Sequence, residues 1–403
     1  MVSFKLAIRN IKMNFRRYVL LCIVFFLATS ALIFNFIGAD ALKTSMENAC
    51  VRIFTGNVMV KNPDYGFRLG MAVSGTPDLV TDVHAFMEKC DGINDVKGSV
   101  ARIRRGVQVS AEKTEYMNLL GVDVEREKKY SEFGVTEGKE DIASGEALIS
   151  GIYLKKLNLE VGDTVGISTV SATGLPVRKD FKIVGILKDR NLNFLRQDSI
   201  VIGYEDAQML LEKEDVATEV LVYTKQKDCK KSTLAAISEA SKASGGEAYK
   251  WDEVGNEIVY ASLGSYASIL FLALACIVII CALVYNLTAM SIYSQMRTIG
   301  TMLALGMTHG KVLLKFICEN IVIGILSCGV SAIFTTLGVV ALDSKEIPMG
   351  VAAEIFGSEF LSLRVNGGMI ILVAVGVALT SIISTLIAFR RIKRIKPIEA
   401  IVQ

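Results

Sequence analysis

The chain has 403 residues, of which 52% are hydrophobic and 21% charged. It is too apolar for an ordinary soluble chain and too charged for one made only of membrane spans, so a mixture of the two is expected. The net charge of +3 says little about partners and gives no pointer to nucleic acid. Of the eight cysteines, Cys22, Cys276, Cys281, Cys318 and Cys328 lie in apolar runs. Cys50, Cys90 and Cys229 have no regular spacing, which argues against a disulfide framework and leaves room for one pair at most. With His84 and His309 as the only histidines and no Cys/His cluster, a zinc site is not expected.

The N-terminal segment places Phe4, Ile8, Ile11 and Phe15 on one helical face, with Lys5, Arg9, Lys12 and Arg16 one residue behind. This is a basic amphipathic helix over residues 1–17 at the membrane surface, or simply a positive anchor flank. Tyr18–Ile37 follows as an uncharged run, predicted to span the membrane over 18–38. A basic flank and the small residues Ala39 and Ala41 would suit a cleaved signal peptide. The run exceeds the usual apolar core of such peptides, about 7–15 residues, so it reads as an uncleaved anchor.

Residues 39–264 carry mixed patterns and are expected to fold as an α+β domain, of two lobes, outside the cytoplasm. Val51–Lys61, Ser99–Val109, Tyr116–Val122, Thr164–Ser168, Phe181–Leu187 and Thr218–Tyr223 read as strands. Pro77–Lys89, Tyr204–Lys213 and Lys231–Ala243 read as helices, the last leading to the second span. Ala147–Leu157 reads as a short strand followed by a helix, and Gly174–Pro176 as a turn.

Three more spans are predicted over 265–290, 316–342 and 368–389. The loop 291–315 carries Arg297, Lys311 and Lys315 and no acid, and the tail 390–403 is basic from Arg390 to Lys396. The loop 343–367 is acidic on balance. Every loop therefore agrees with both termini in the cytoplasm. Gly324, Cys328 and Gly329, with Ala374, Gly376 and Ala378, allow close helix packing, within one chain or between two.

No catalytic constellation is present. Gly306–Lys311 lacks the spacing and the hydroxyl residue of a phosphate loop and follows no strand. Glu319 sits near the edge of its span, an interfacial residue or a pathway acid. Ile299, Met302, Leu303 and Met307 form an apolar face in the short loop, fit to fill a partner's groove or to lie on lipid headgroups. Gly300 and Gly306 would permit close backbone approach.

Asn286–Gly329 resembles the FtsX-like permease family of ABC transporters. Asn286, Ser291, Arg297, Ile299, Gly300, Ala304, Leu305, Gly306, Met307, Val312, Glu319 and Gly324 match its pattern; Thr298 and Leu303 stand where an acid and a base are common. The opening with Arg9, Asn10, Arg16 and Arg17, and the ending through Pro397, Glu399 and Ala400, are also similar to the family. In the domain between the first two spans, Thr55-Gly56, Leu120-Gly121, Gly151–Leu154, Gly162-Asp163 and Val184–Ile186 occur in the order of lipoprotein-releasing permeases, a plan that MacB-type exporters share.

The resemblance implies a non-catalytic permease subunit in the cytoplasmic membrane, working as a homo- or heterodimer with a separate ABC ATPase. That ATPase would bind ATP and Mg²⁺; the chain itself would hold no cofactor. The implied ATPase contact is Arg297, Ile299, Gly300, Met302, Leu303, Ala304, Leu305, Gly306 and Met307. The implied activity is mechanotransmission that extracts lipoproteins from the outer leaflet. The alternatives are MacB-like efflux of peptides, toxins or drugs, and regulation of an envelope enzyme without transport.

Overall fold

The computed structural model describes residues 15–66, 78–131, 133–187, 199–343 and 363–392. The chain divides into two compact units: Met1–Lys43 with Leu263–Ile347 and Leu361–Gln403, and Thr44–Ser262 with Pro348–Phe360.

Helix α1, Phe15–Ala49, continues without a break into a π-helical segment, Cys50–Thr55. The expected strand over Val51–Lys61 is therefore helical in its first half, and only Val58–Lys61 (β1) is extended. The cause is tertiary. Cys50, Val51, Ile53 and Phe54 are buried in one cluster with Met46, Ala49 and Trp251, a helical face that outweighs their β propensity. Gly56 then turns the chain at φ 63° and ψ −172°, a conformation essentially reserved for glycine, and a Cβ there would lie 3.1 Å from the Val222 backbone.

The rest of the second unit alternates short strands and helices. In order they are β2 (Val80–Thr81), α2 (Val83–Asp91), β3 (Val96–Ser110), β4 (Thr114–Val122), α3 (Val124–Tyr130), β5 (Val135–Gly138), β6 (Glu146–Ser150) and α4 (Gly151–Lys156). There follow β7 (Thr164–Val170), β8 (Pro176–Leu187), β9 (Ser199–Gly203), α5 (Tyr204–Leu211), β10 (Val216–Ala217), β11 (Glu219–Thr224), α6 (Lys231–Lys242), β12 (Glu247–Lys250) and α7 (Trp251–Val254). One ten-stranded sheet runs β12-β1-β11-β3-β4-β9-β6-β8-β5, with β7 pairing β3 and β8. Most pairs are antiparallel, but β4–β9 and β6–β8 are parallel.

The sheet carries two main apolar cores. One includes Ile103, Leu119, Ile149, Ile167, Phe181 and Ile202; the other includes Val60, Val83, Phe86, Val220 and Ile237. The helix expected from Pro77 begins only at Val83, because Asp82 adopts a left-handed conformation (φ 51°) and residues 80–81 pair with β10; Pro77 itself lies outside the described residues. Helix α6 does not lead into the second span, since β12 and α7 intervene and β12 closes the sheet edge on β1. Strand β3 is not the alternating strand expected. It is covered on both faces, and Arg102, Arg104 and Arg105 are all buried in it. Each of the eight cysteines is a free thiol. Burial, with the charge of Asp91, pushes Cys90 up to about 12, so it is protonated and inert at neutral pH.

The membrane unit holds α1, α8 (Asn256–Ser294), α9 (Met296–Ala304), α10 (His309–Asp343) and α11 (Gly367–Ile392). Four of these, all but α9, are long and apolar enough to cross a membrane. The protein is thus an α+β membrane protein with a large domain between its first and second spans. The helices outrun the spans expected from hydrophobicity. Helix α8 has 39 residues, about 58 Å at 1.5 Å per residue, against roughly 30 Å of hydrocarbon. Helix α10 starts at His309, ahead of the span predicted from Phe316, with Val312 and Leu313 packed on an apolar cluster with α8 and α11. Helices α1 and α10 meet through Ser30 Oγ and Ser331 Oγ (2.7 Å) and an edge-to-face pair, Phe26–Phe334. Gly324, Cys328, Gly329, Ala374 and Ala378 line an open groove shared by α10 and α11.

Candidate functional site

Helices α8, α10 and α11 come together at one end around α9, with α1 bonded to α10 nearby. Helix α8 stops because Gln295 leaves helical geometry (φ −104°, ψ 11°), and α9 restarts at Met296. Its end is a Schellman closure. Gly306, at φ 88°, donates its N–H to Leu303 O (3.0 Å), and Met307 donates to Met302 O (3.0 Å). Thr308 O then accepts from Lys311 N (3.0 Å) as α10 begins.

The two faces of α9 have different fates. Ile299 and Gly300 are buried, and Leu303 and Met307 pack on the same apolar cluster, made by Ile292, Val312, Phe316, Ala388 and Phe389 of the spans. Of the apolar face read from sequence, Ile299 is therefore buried, and Leu303 and Met307 are partly covered by the chain's own helix ends. Met302 is half-buried. Arg297, Thr298, Thr301, Ala304 and Gly306 are exposed, and Leu305 is 89% exposed. Arg9 and Asn10 lie outside the described residues; Arg16 and Arg17 fall in the first turn of α1.

Beneath α9 runs a buried polar network. Lys315 Nζ lies 3.5 Å from Glu319 Oε1 and donates to Gln295 Oε1 (2.9 Å). Gln295 Nε2 donates to Ser291 Oγ (3.3 Å). From α1, Tyr18 Oη donates to Glu319 Oε2 (2.9 Å). One residue on, Asn320 Nδ2 donates to Thr288 Oγ1 of α8 (3.0 Å) and to Thr385 Oγ1 of α11 (2.8 Å). Glu319 is 1% exposed, Lys315 3%, and Tyr18 and Asn320 5% each. Lys315 and Glu319 thus join α10 to Gln295 and to α1, and Asn320 joins it to α8 and α11. A space of about 20 Å³ beside Glu319, Thr288 and Ser291 is large enough for a single water.

Charges in hydrocarbon are costly, and pairing with satisfied hydrogen bonds is what makes them tolerable there. Glu319 meets that condition through Lys315 and Tyr18. Its partner Lys315 was findable, because an i, i+4 spacing puts the two on one helical face. Tyr18 was not, since nothing in the sequence links it to a residue 301 positions away. These bonds tie Gln295, at the start of α9, to α10 and so to the spans. Among the described residues, no group of three or more His, Cys, Asp or Glu is placed to hold a metal.

Residues 270–397 match the family described as FtsX-like permease C-terminal. No curated protein sequence matches the chain. Among solved structures, the extracellular domain of the noncanonic ABC-type transporter YknZ from Gram-positive bacteria is 17% identical, with a TM-score of 0.33 over 44% of this chain and 97% of that one. The periplasmic region of MacB from Actinobacillus actinomycetemcomitans is 12% identical, with a TM-score of 0.35 over 52% of this chain and 95% of that one.

Proposed function

We propose, from the premise that the chain belongs to the FtsX-like permease family through residues 270–397, that it is the membrane subunit of an ABC transporter driven by an ATPase on a separate chain. Permeases of this family work with an ABC ATPase and are generally non-catalytic themselves. The observation that carries the reading is the division of α9. Its inner face is fixed to the spans, while Arg297, Thr298, Thr301, Ala304 and Leu305 stand free to meet a partner. In this reading α9 and both termini face the cytoplasm, and the ATPase docks on the outer face of α9.

When the ATPase closes around nucleotide, α9 is displaced, and Gln295 and Lys315 carry the displacement to the ends of all four spans. The displacement enters α8, which runs from Asn256 to Ser294. The substrate in this reading is a lipoprotein taken from the outer leaflet, supported by the order of the short motifs in the domain between the first two spans. Withdrawing acyl chains loses about 0.8 kcal/mol per CH₂, so extraction needs an energy source of the kind ATP supplies.

The test is gentle-detergent capture of the tagged full-length chain from its native membranes, with mass spectrometry of what accompanies it. A stoichiometric ABC ATPase together with acylated lipoproteins is the expected result. An ATPase with an adaptor and an outer-membrane channel would replace extraction by efflux, and an ATPase with a wall hydrolase would replace it by regulation. Absence of any ATPase would remove the reading itself.

A further inference from the structure

A groove of about 450 Å³ lies between the start of α10 and the end of α11, within the roughly 300–1,000 Å³ typical of ligand sites. Its walls are Leu313, Ile383, Leu386, Ile387 and Phe389, and its rim carries His309 and Arg390. Ile383, Leu386 and Ile387 are 41–50% exposed, while Phe389, at 6%, forms a fixed floor. Among the described residues, neither His309 nor Arg390 makes an ion pair and no acid lines the groove.

These features meet at the end of two membrane-crossing helices, where the apolar part of a groove faces acyl chains and the rim faces headgroups. A soluble ligand would leave three large aliphatic side chains in contact with lipid rather than with itself. A guanidinium at headgroup level presents a planar fork of donors matched to phosphate oxygens. The zwitterionic choline headgroup offers the same phosphate but sets a cation beside it, which Arg390 opposes. Basic pockets between membrane helices are a recognised form of anionic headgroup site.

From the charge and shape of this groove we infer that it binds an anionic phospholipid, its phosphate at Arg390 and His309 and one acyl chain along Ile383, Leu386 and Ile387. Nothing in the inference depends on the ATPase contact, because no residue of the exposed α9 face lines the groove. Occupancy would brace α10 against α11 just after the turn that closes α9.

The test titrates the purified full-length protein with phosphatidylglycerol or phosphatidylcholine and reads bound lipid by native mass spectrometry. The intact protein should retain phosphatidylglycerol preferentially. Arg390→Gln should weaken that binding about fivefold, the effect of roughly one basic charge near a lipid surface, and adding His309→Ala should weaken it further. Equal retention of the two lipids by the intact protein, or an unchanged preference in the double variant, would overturn the inference. Should the variants fail to fold, a photoreactive residue at Ile387 in native membranes decides the matter. Adducts with anionic lipid support the site, and adducts with protein or with zwitterionic lipid alone contradict it.

Discussion

Glu319→Ala should destabilise the membrane unit by about 3–5 kcal/mol, the usual result of removing one partner from a buried ion pair. Lys315 would be left with its ammonium buried in the helix bundle, held by Gln295 but without its carboxylate. Tyr18 would lose the acceptor that ties α1 to α10. The measurement is the denaturation midpoint of the full chain in mild detergent, followed by loss of helical signal. Glu319→Gln keeps an acceptor for Tyr18 and should fall between. The double variant Lys315→Met, Glu319→Met removes both charges and should recover most of the stability, since a buried pair can often be replaced by apolar residues at little cost. It also cuts Gln295 loose from α10. If the network carries motion, the double variant should fold yet uncouple transport from ATP turnover; if it is only structural, transport should return with stability.

Glu127→Ala should have a comparable effect in the domain between the first and second spans, again about 3–5 kcal/mol. Arg102 is fully buried on β3 and makes a bidentate pair with Glu127, its Nη2 lying 2.8 Å from Oε2. Its Nη1 donates to Ile53 O (2.7 Å) in the π-helical segment. Ser131, which accepts from Arg102, donates in turn to Arg52 O (2.9 Å), and Tyr223 donates to the same carbonyl (3.1 Å). Burial opposes the charge on Arg102, but Glu127 beside it more than offsets this and holds its pKa above the ordinary value. Arg102 therefore fastens the π-helical segment to the sheet and stays charged in doing so. Trp251, the chain's one tryptophan, lies in the same cluster as Ile53 and Phe54, so its fluorescence reports this junction directly. Chemical denaturation read at Trp251 should show the midpoint shift in Glu127→Ala and a smaller one in Glu127→Gln.

The spans were legible because apolar runs of such length have few other uses, and the central strands and helices because their residue patterns are local. What escaped was set by distant partners. The helical path of Cys50–Thr55 depends on Trp251 and Arg102, which no local propensity reveals. The parallel pairings of β4 with β9 and β6 with β8 follow from crossovers, not from strand composition. At the candidate site, sequence singled out α9 but not how its two faces are disposed. The apolar residues Ile299, Met302, Leu303 and Met307 read as a surface for a partner's groove or for lipid headgroups; Ile299, Leu303 and Met307 instead pack on a cluster from α8, α10 and α11, segments that no local pattern joins. Leu305 and its neighbours form the exposed face, less apolar than the buried one. The basic N-terminal residues through Asn14 and the tail beyond Ile392 lie outside the described residues and stand as read from sequence.

The most direct test of the coupling account is site-specific photocrosslinking from α9 in native membranes under ATP turnover. A photoreactive residue at Leu305 should form an adduct with an ABC ATPase, and one at Leu303, turned toward the spans, should not. No ATPase adduct from Leu305, or adducts from Leu303 alone, would contradict the claim that the outer face of α9 is where the driving subunit docks.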